Sequence, residues 1–279
     1  MIVQTLGGHA LRLREPHDLS FIENYGKIFN IYDEHTCGML SFGLITSEGR
    51  RIYLKYAGAK TINYPSDPIR IVQKLRQAMK YYHTLRHAAL IKYISGKDFG
   101  TSCLCVFEWA EGLSLGPDPV AYSTFRHLPL LKRLGLFDMV CDFHLKAENE
   151  GIVIAGLSDS HMNFHMQTQQ LLITNIDNYL PLPSINTRGR LPGSPLYLPP
   201  EGYQIGAAID ETSNVYTLAA LSHSFFGDKI NKKKEAWEAS DLLYEISKRA
   251  LNENRNLRQQ NTDDFLAQWR DAVLRTRFV

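Results

Sequence analysis

The chain has 279 residues, 44% of them hydrophobic and 22% charged, with a formal net charge of +2 at pH 7. That length accommodates one two-lobed domain or two small ones, with a sizeable core. The near balance of charge leaves no footprint for nucleic acid or an anionic membrane, and no apolar run approaches the roughly 18 residues a membrane-crossing helix needs. Residues 1–18 lack the apolar core of a signal peptide and turn charged early, so a cytoplasmic location is expected. Cys37, Cys103, Cys105 and Cys141 form neither a C-x-x-C pair nor a disulfide-like framework; all four are expected as buried free thiols.

Along the chain there is no internal repeat, low-complexity segment or long linker. The first hundred residues read as strand-rich: Lys27–Tyr32, residues 39–46 and Arg51–Ala57 are short β-type runs separated by polar or glycine-containing turns. Ser66-Asp67-Pro68 marks a helix start. Behind it Ile69, Val72, Leu75, Met79 and Tyr82 recur at three- and four-residue steps, predicting an amphipathic helix. Residues 103–109 (CLCVFEW) predict a buried strand. From about Leu128 the pattern is mostly helical, interrupted by a hairpin near residues 160–175 and ending in amphipathic stretches over 237–250 and 262–274. A β-rich front with one helix and a helical rear predict an α+β protein.

Several motifs in this order resemble the protein-kinase fold, and more closely a bacterial protein-kinase-like family. Tyr53-Leu54-Lys55 resembles the strand whose lysine holds the α- and β-phosphates of ATP. Leu85-Arg86-His87-Ala88-Ala89-Leu90-Ile91 follows the kinase-like L-x-H-x-x-L-I pattern. Residues 106–112 (VFEWAEG) resemble the hinge, where backbone groups meet the adenine edge. Pro199-Pro200-Glu201 sits where kinases carry Ala-Pro-Glu, and residues 214–219 (NVYTLA) where they carry Asp-x-Trp-Ser-Leu-Gly. The resemblance covers roughly residues 20–270. It implies a single two-lobed domain: a β-rich N-lobe of about 20–107 with one main helix, a hinge of about 108–113 and a helical C-lobe of about 114–274. It further implies a nucleotide site at Lys55, Gly38, Phe107, Glu108, Trp109 and Ala110, and a structural ion pair between Glu201 and Arg258.

Phosphoryl transfer needs positioning and charge neutralisation: backbone covering the phosphates, a lysine anchored by a glutamate, a carboxylate beside the acceptor hydroxyl, and oxygen ligands for Mg²⁺. Residues 33–38 (DEHTCG), where the Gly-rich loop should lie, hold one glycine and two acids. The lysine-pairing glutamate falls near Ala78, flanked by Arg76, Gln77 and Met79. Aligned by hydrophobic pattern, the general base falls on Gly156, the metal-binding Asn on His161 and the second metal ligand on Asn175. Glycine cannot orient a hydroxyl, and an amide is a poor ligand for a hard dication. A second alignment makes Asp159 the catalytic base and Asp177 the metal ligand, at the cost of putting Asn178 where a buried aromatic normally packs. His161 and His165 lack a third partner at metal-ligand spacing, and Ser158-Asp159 with His144 lacks the G-x-S-x-G elbow of a hydrolase.

The resemblance therefore implies fold more strongly than activity. The expectation is a pseudokinase with a partly retained ATP site, degenerate catalytic motifs and a regulatory or binding role. Two alternatives stand beside it: an active ATP-dependent phosphotransferase of a protein or small molecule using Asp159 and Asp177, and an interaction scaffold that binds no nucleotide. ATP is the implied ligand, while the missing oxygen ligands argue against Mg²⁺. The expected partner is a protein of unknown identity, with neither nucleic acid nor membrane. Residues 186–194 (NTRGRLPGS) correspond to the activation loop, whose glycines, proline and two arginines suit a flexible segment near an anion or an acidic partner. A helix around Lys232-Lys233-Lys234 and Trp237 is a further candidate docking surface.

Overall fold

The computed structural model describes residues 1–116 and 118–276, and the chain is α+β with antiparallel sheets. It divides into two compact units: residues 1–86 with 91–110, and residues 87–90 with 111 onward.

The first unit opens with a hairpin of β1 (Ile2–Leu6) and β2 (His9–Leu13). Gly7 and Gly8 make the turn at φ of 56° and 81°, which L side chains rarely adopt. A five-stranded sheet follows, built from β3 (Lys27–Tyr32), β4 (Leu40–Ile45), β5 (Arg51–Ala57), β6 (Tyr93–Asp98) and β7 (Cys103–Glu108) in the order β3-β4-β5-β7-β6. Side chains alternate across it. Leu40, Phe42 and Leu44 of β4, Ile52, Leu54 and Tyr56 of β5, and Leu104 and Val106 of β7 form one core face, closed by Leu6, Leu11, Leu13, Leu19 and Ile22. Tyr53, Lys55 and Phe107 stand on the other face, where helix α1 (Ile69–Thr84) packs with the Tyr82 ring 4.7 Å from Phe107.

The sequence pattern misses β1, β2 and β6. All but the first residue of β6 is exposed, so it carries no inward alternation to read. The α1 stripe is also shifted: Ile71, Val72, Leu75, Ala78, Tyr81 and Tyr82 are buried, whereas Ile69 is exposed and Met79 is half-buried. Asp67 supports the helix start, its carboxylate accepting the Ile69 N–H at 2.8 Å. Cys37 is exposed, unlike the other three cysteines.

In the second unit β8 (Leu113–Ser114) precedes α2 (Pro119–Arg126), α3 (Leu130–Asn149) and β9 (Ile152–Val153). Then come the hairpin of β10 (Met162–His165) and β11 (Gln170–Ile173), with β8 on its free edge, and β12 (Leu180–Pro181) paired with β9. β13 (Ser184–Ile185) pairs with β14 (Ala208–Ile209). Helices α4 (Glu211–Phe226), α5 (Asp241–Ala250) and α6 (Thr262–Arg275) complete the unit. α4 is buried along almost its whole length, and Phe137 of α3 packs 5.3 Å from Phe225 and 4.8 Å from Trp269.

The helix expected over 237–250 starts only at Asp241, where the Ser240 hydroxyl accepts the Leu243 N–H. Trp237 instead joins an aromatic cluster, 4.9 Å from His223, and its indole donates to the Ser240 carbonyl at 3.0 Å. Lys232 and Lys233 lie in an irregular stretch and Lys234 opens a short 3-10 segment, so the expected basic helical face does not form.

Candidate functional site

Lys55 sits mid-strand in β5, opposite Ser41 of β4 and Cys105 of β7, and is 4% exposed. Its ammonium donates to the Tyr82 hydroxyl at 3.1 Å and lies 5.3 Å from the Tyr82 ring centre and 5.5 Å from that of Phe107. Aromatic faces attract a desolvated cation by up to about 2 kcal/mol each. Ala78, one turn before Tyr82, is buried, so α1 answers Lys55 with a phenol where a carboxylate was sought. In the sequence Tyr82 is one of the residues of the apolar stripe, and its hydroxyl carries no pattern signal.

The same sheet face continues into an aromatic layer. Phe107 is wholly buried, with ring centres of Tyr93 at 5.7 Å and Tyr53 at 6.3 Å. Trp109 is half-buried, 5.1 Å from Phe29 and 6.3 Å from Tyr53. Gly43 admits Phe29: a Cβ there would come within 2.6 Å of its ring. Glu108 is exposed and accepts from Lys92 at 2.5 Å, while Ala110 ends the unit half-buried.

The segment 33–38 is also engaged. The Asp33 carboxylate takes the Arg12 backbone N–H at 2.8 Å and its guanidinium at 2.6 Å, and Glu34 binds the same guanidinium. Burial pushes the Asp33 carboxyl up, but the bonds from Arg12 outweigh it and hold it below the usual range. Gly38 is buried at φ 80°, and a Cβ there would lie 2.8 Å from the Tyr64 ring. It packs under an aromatic ring, which is a different duty from exposing backbone N–H groups to a phosphate.

In the second unit Gly156 has φ 71°, and a Cβ would meet the Asn178 side chain at 2.6 Å. Gly193 lies so close that its own Cβ would fall 2.6 Å from the Gly156 Cα. Two glycine backbones thus touch at the position aligned with the general base. Behind them the Ile154 N–H donates to the Asn214 side-chain oxygen at 2.7 Å, and the Asn214 amide donates to Glu148 at 2.7 Å. Glu148 also accepts the Thr262 N–H and hydroxyl; burial nonetheless raises its pKa. Asn214 and Glu148 fix the loop after β9, a role that nothing local in the sequence announces.

The hairpin pairs Met162 with Ile173, and the Thr174 N–H donates to the His161 carbonyl at 2.8 Å. His161 and Asn175 therefore come to the same end of the hairpin. Asn175 makes an Asx turn, its oxygen accepting the Asp177 N–H at 2.9 Å, and Asp177 is buried. Asp159 is buried too, with one carboxylate oxygen 2.6 Å from the Lys229 ammonium and the other accepting the Ser160 N–H at 3.1 Å. Lys229 lies over the Tyr122 ring at 4.2 Å. The carboxylate of Asp159 is thus already neutralised. His165 bonds to Thr168 at the hairpin tip. His144 bonds to Tyr179, not to Ser158. No three His, Cys, Asp or Glu side chains converge to hold a metal among the described residues.

Arg258 and Glu201 form a buried pair at 2.7 and 3.1 Å. Arg258 also donates to the carbonyls of Thr212 and Asn252 and lies 4.9 Å from the Tyr216 ring, while the Ser213 hydroxyl donates to Glu201 at 2.8 Å. Burial pushes Glu201 up; the bonds from Arg258 prevail and keep its pKa lowered. The loop after β13, expected as flexible, is tied down by Asn186. Its N–H donates to Ala207, its amide to the carbonyls of Gly189 and Glu201, and its oxygen accepts the Arg188 N–H. No family model matches the chain, and a search of curated proteins likewise finds no match.

Proposed function

We propose that the chain is a catalytically silent protein-kinase-like protein that acts by binding a protein partner, without phosphoryl transfer and without need of nucleotide. The observation that carries this reading is the setting of the Lys55 ammonium, which donates to the Tyr82 hydroxyl of α1 and lies near the rings of Tyr82 and of Phe107 in β7, beside the layer of Tyr53, Phe29 and Trp109. Support also comes from Gly156, closed in by Gly193 and Asn178, and from Asp159, neutralised by Lys229. Each charge-assisted contact missing from such a nucleotide site is worth about 1.5–3 kcal/mol. A micromolar site, worth about −8 kcal/mol, that loses two of them falls to a dissociation constant of roughly 0.1 mM or weaker.

The test is a thermal melt with ATP up to about 5 mM, with and without Mg²⁺, alongside transfer of radiolabelled γ-phosphate to the chain itself and to generic acceptors. A ligand well below its dissociation constant moves the melting temperature negligibly. No shift and no transfer are expected. Transfer that disappears in Lys55→Met and Asp177→Asn would overturn the reading in favour of an active phosphotransferase. A nucleotide-dependent shift without transfer would replace its nucleotide-independent part.

A further inference from the structure

The arginines of the chain are mostly committed. Arg12, Arg76, Arg126, Arg255, Arg258 and Arg270 all pair with carboxylates. Arg188 and Arg190, like Arg14, Arg70 and Arg249, have no carboxylate partner among the described residues, and the one side-chain bond either makes is from Arg190 to the Gly193 carbonyl at 3.2 Å. Both are exposed, on the loop that Asn186 pins through its own backbone and side chain. The two guanidiniums therefore project from an ordered backbone, which lowers the entropy lost when they meet an anion.

Apolar side chains share this surface. A Cβ on Gly189, the residue between the two arginines, would be 3.5 Å from Ile205. Ile205 is 76% exposed, Ile185 of β13 59% and Tyr203 45%. Residues 185–186 run beside 206–208 through the β13–β14 pairing and the bonds between Asn186 and both Gly206 and Ala207. Exposed aliphatic and aromatic groups at a short two-stranded ribbon, flanked by cations lacking anions, have a definite complement. We propose that this surface docks an acidic peptide segment of a protein partner, with carboxylates on Arg188 and Arg190 and an apolar residue against Ile185 and Ile205.

The proposal names the chemistry of the partner invoked under Proposed function and rests on that reading. The probe is fluorescein-labelled poly(Glu,Tyr) random copolymer, followed by anisotropy at low and physiological salt, with poly-Glu and poly(Lys,Tyr) as controls. Saturable binding of poly(Glu,Tyr) is expected, at least tenfold weaker in Arg188→Glu/Arg190→Glu and in Ile185→Ser/Ile205→Ser, with poly-Glu also weaker. Circular dichroism melts confirm that each variant folds, and either double variant suffices if the other does not. Absence of binding, equal binding by the folded variants, or poly-Glu binding as tightly as poly(Glu,Tyr) would overturn the proposal. Phosphoryl transfer by a chain that still binds the copolymer through these residues would instead sink the catalytically silent reading and leave the docking surface standing.

Discussion

His144 and His223 are buried in the second unit, and both have pKa values lowered to about 4, chiefly by burial. His144 accepts from the Tyr179 hydroxyl at 2.7 Å and donates through Nδ1 to the Val140 carbonyl at 2.7 Å, an arrangement that fixes its neutral tautomer. Lowered folded-state values mean that the unfolded chain takes up protons first as pH falls through about 6.5. Stability should therefore drop between pH 7.5 and pH 5, by about 2 kcal/mol per histidine. Glu148 titrates with the opposite sign, because its raised pKa makes protonation favour the fold, and its effect begins nearer the carboxylate range. Urea denaturation at the two pH values checks this, and His144→Gln should remove about half of the drop. An unchanged midpoint would mean that these rings are not held neutral. Arg258 is a second case at this scale. Arg258→Met leaves the buried Glu201 carboxylate with Ser213 but no cation, and should cost on the order of 3–5 kcal/mol in urea denaturation at pH 7. Adding Glu201→Gln should recover part of it, because the penalty lies in the stranded charge.

Elements reveal where sequence reasoning reached and where it stopped. The strands β3, β4, β5 and β7, the hairpin of β10 and β11, and helices α1 and α6 carry their own periodicity, and each was legible. β6 carries no such pattern, because it is exposed along nearly its whole length, and α5 starts later than its apolar pattern predicts because Trp237 belongs to an aromatic cluster and not to a helix stripe. At the candidate site, the residue types at Lys55, Gly156 and Asn175 could be read, but their partners could not. Tyr82 is 27 residues from Lys55, and Lys229 is 70 from Asp159, so only the fold brings them together. The loop after β9 makes this testable. A side chain placed at Gly156 meets the Asn178 side chain at 2.6 Å from a backbone with positive φ. Gly156→Asp should therefore yield no ATP turnover and should lower stability by about 1–3 kcal/mol through strain and overpacking. Turnover in that variant, measured by phosphate release, would mean that the loop opens and that a carboxylate there supports catalysis.

Across the whole molecule, each unit carries its own apolar core. In the first unit, one face of the five-stranded sheet is closed by residues outside the span in which the kinase resemblance was drawn. Leu6, Leu11, Leu13 and Leu19 are 6%, 0%, 0% and 1% exposed against Leu40, Phe42, Leu44, Leu54 and Val106. Arg12 of the same hairpin also holds Asp33 and Glu34. Full burial of a leucine is worth about 1.5–3 kcal/mol, so the four together stand for roughly 6–12 kcal/mol before ordering costs. That is comparable to the entire stability of an ordinary domain. Deleting residues 1–19 should therefore strip amide protection from β3, β4 and β5, read by hydrogen exchange with mass spectrometry. The milder Leu11→Ala, a cavity in the same face, should cost about 2–5 kcal/mol. Full protection of β4 and β5 in the deletion variant would mean that the sheet is held by its other face, through α1 and the aromatic layer around Lys55, and that the N-terminal hairpin is a cover the sheet can lose.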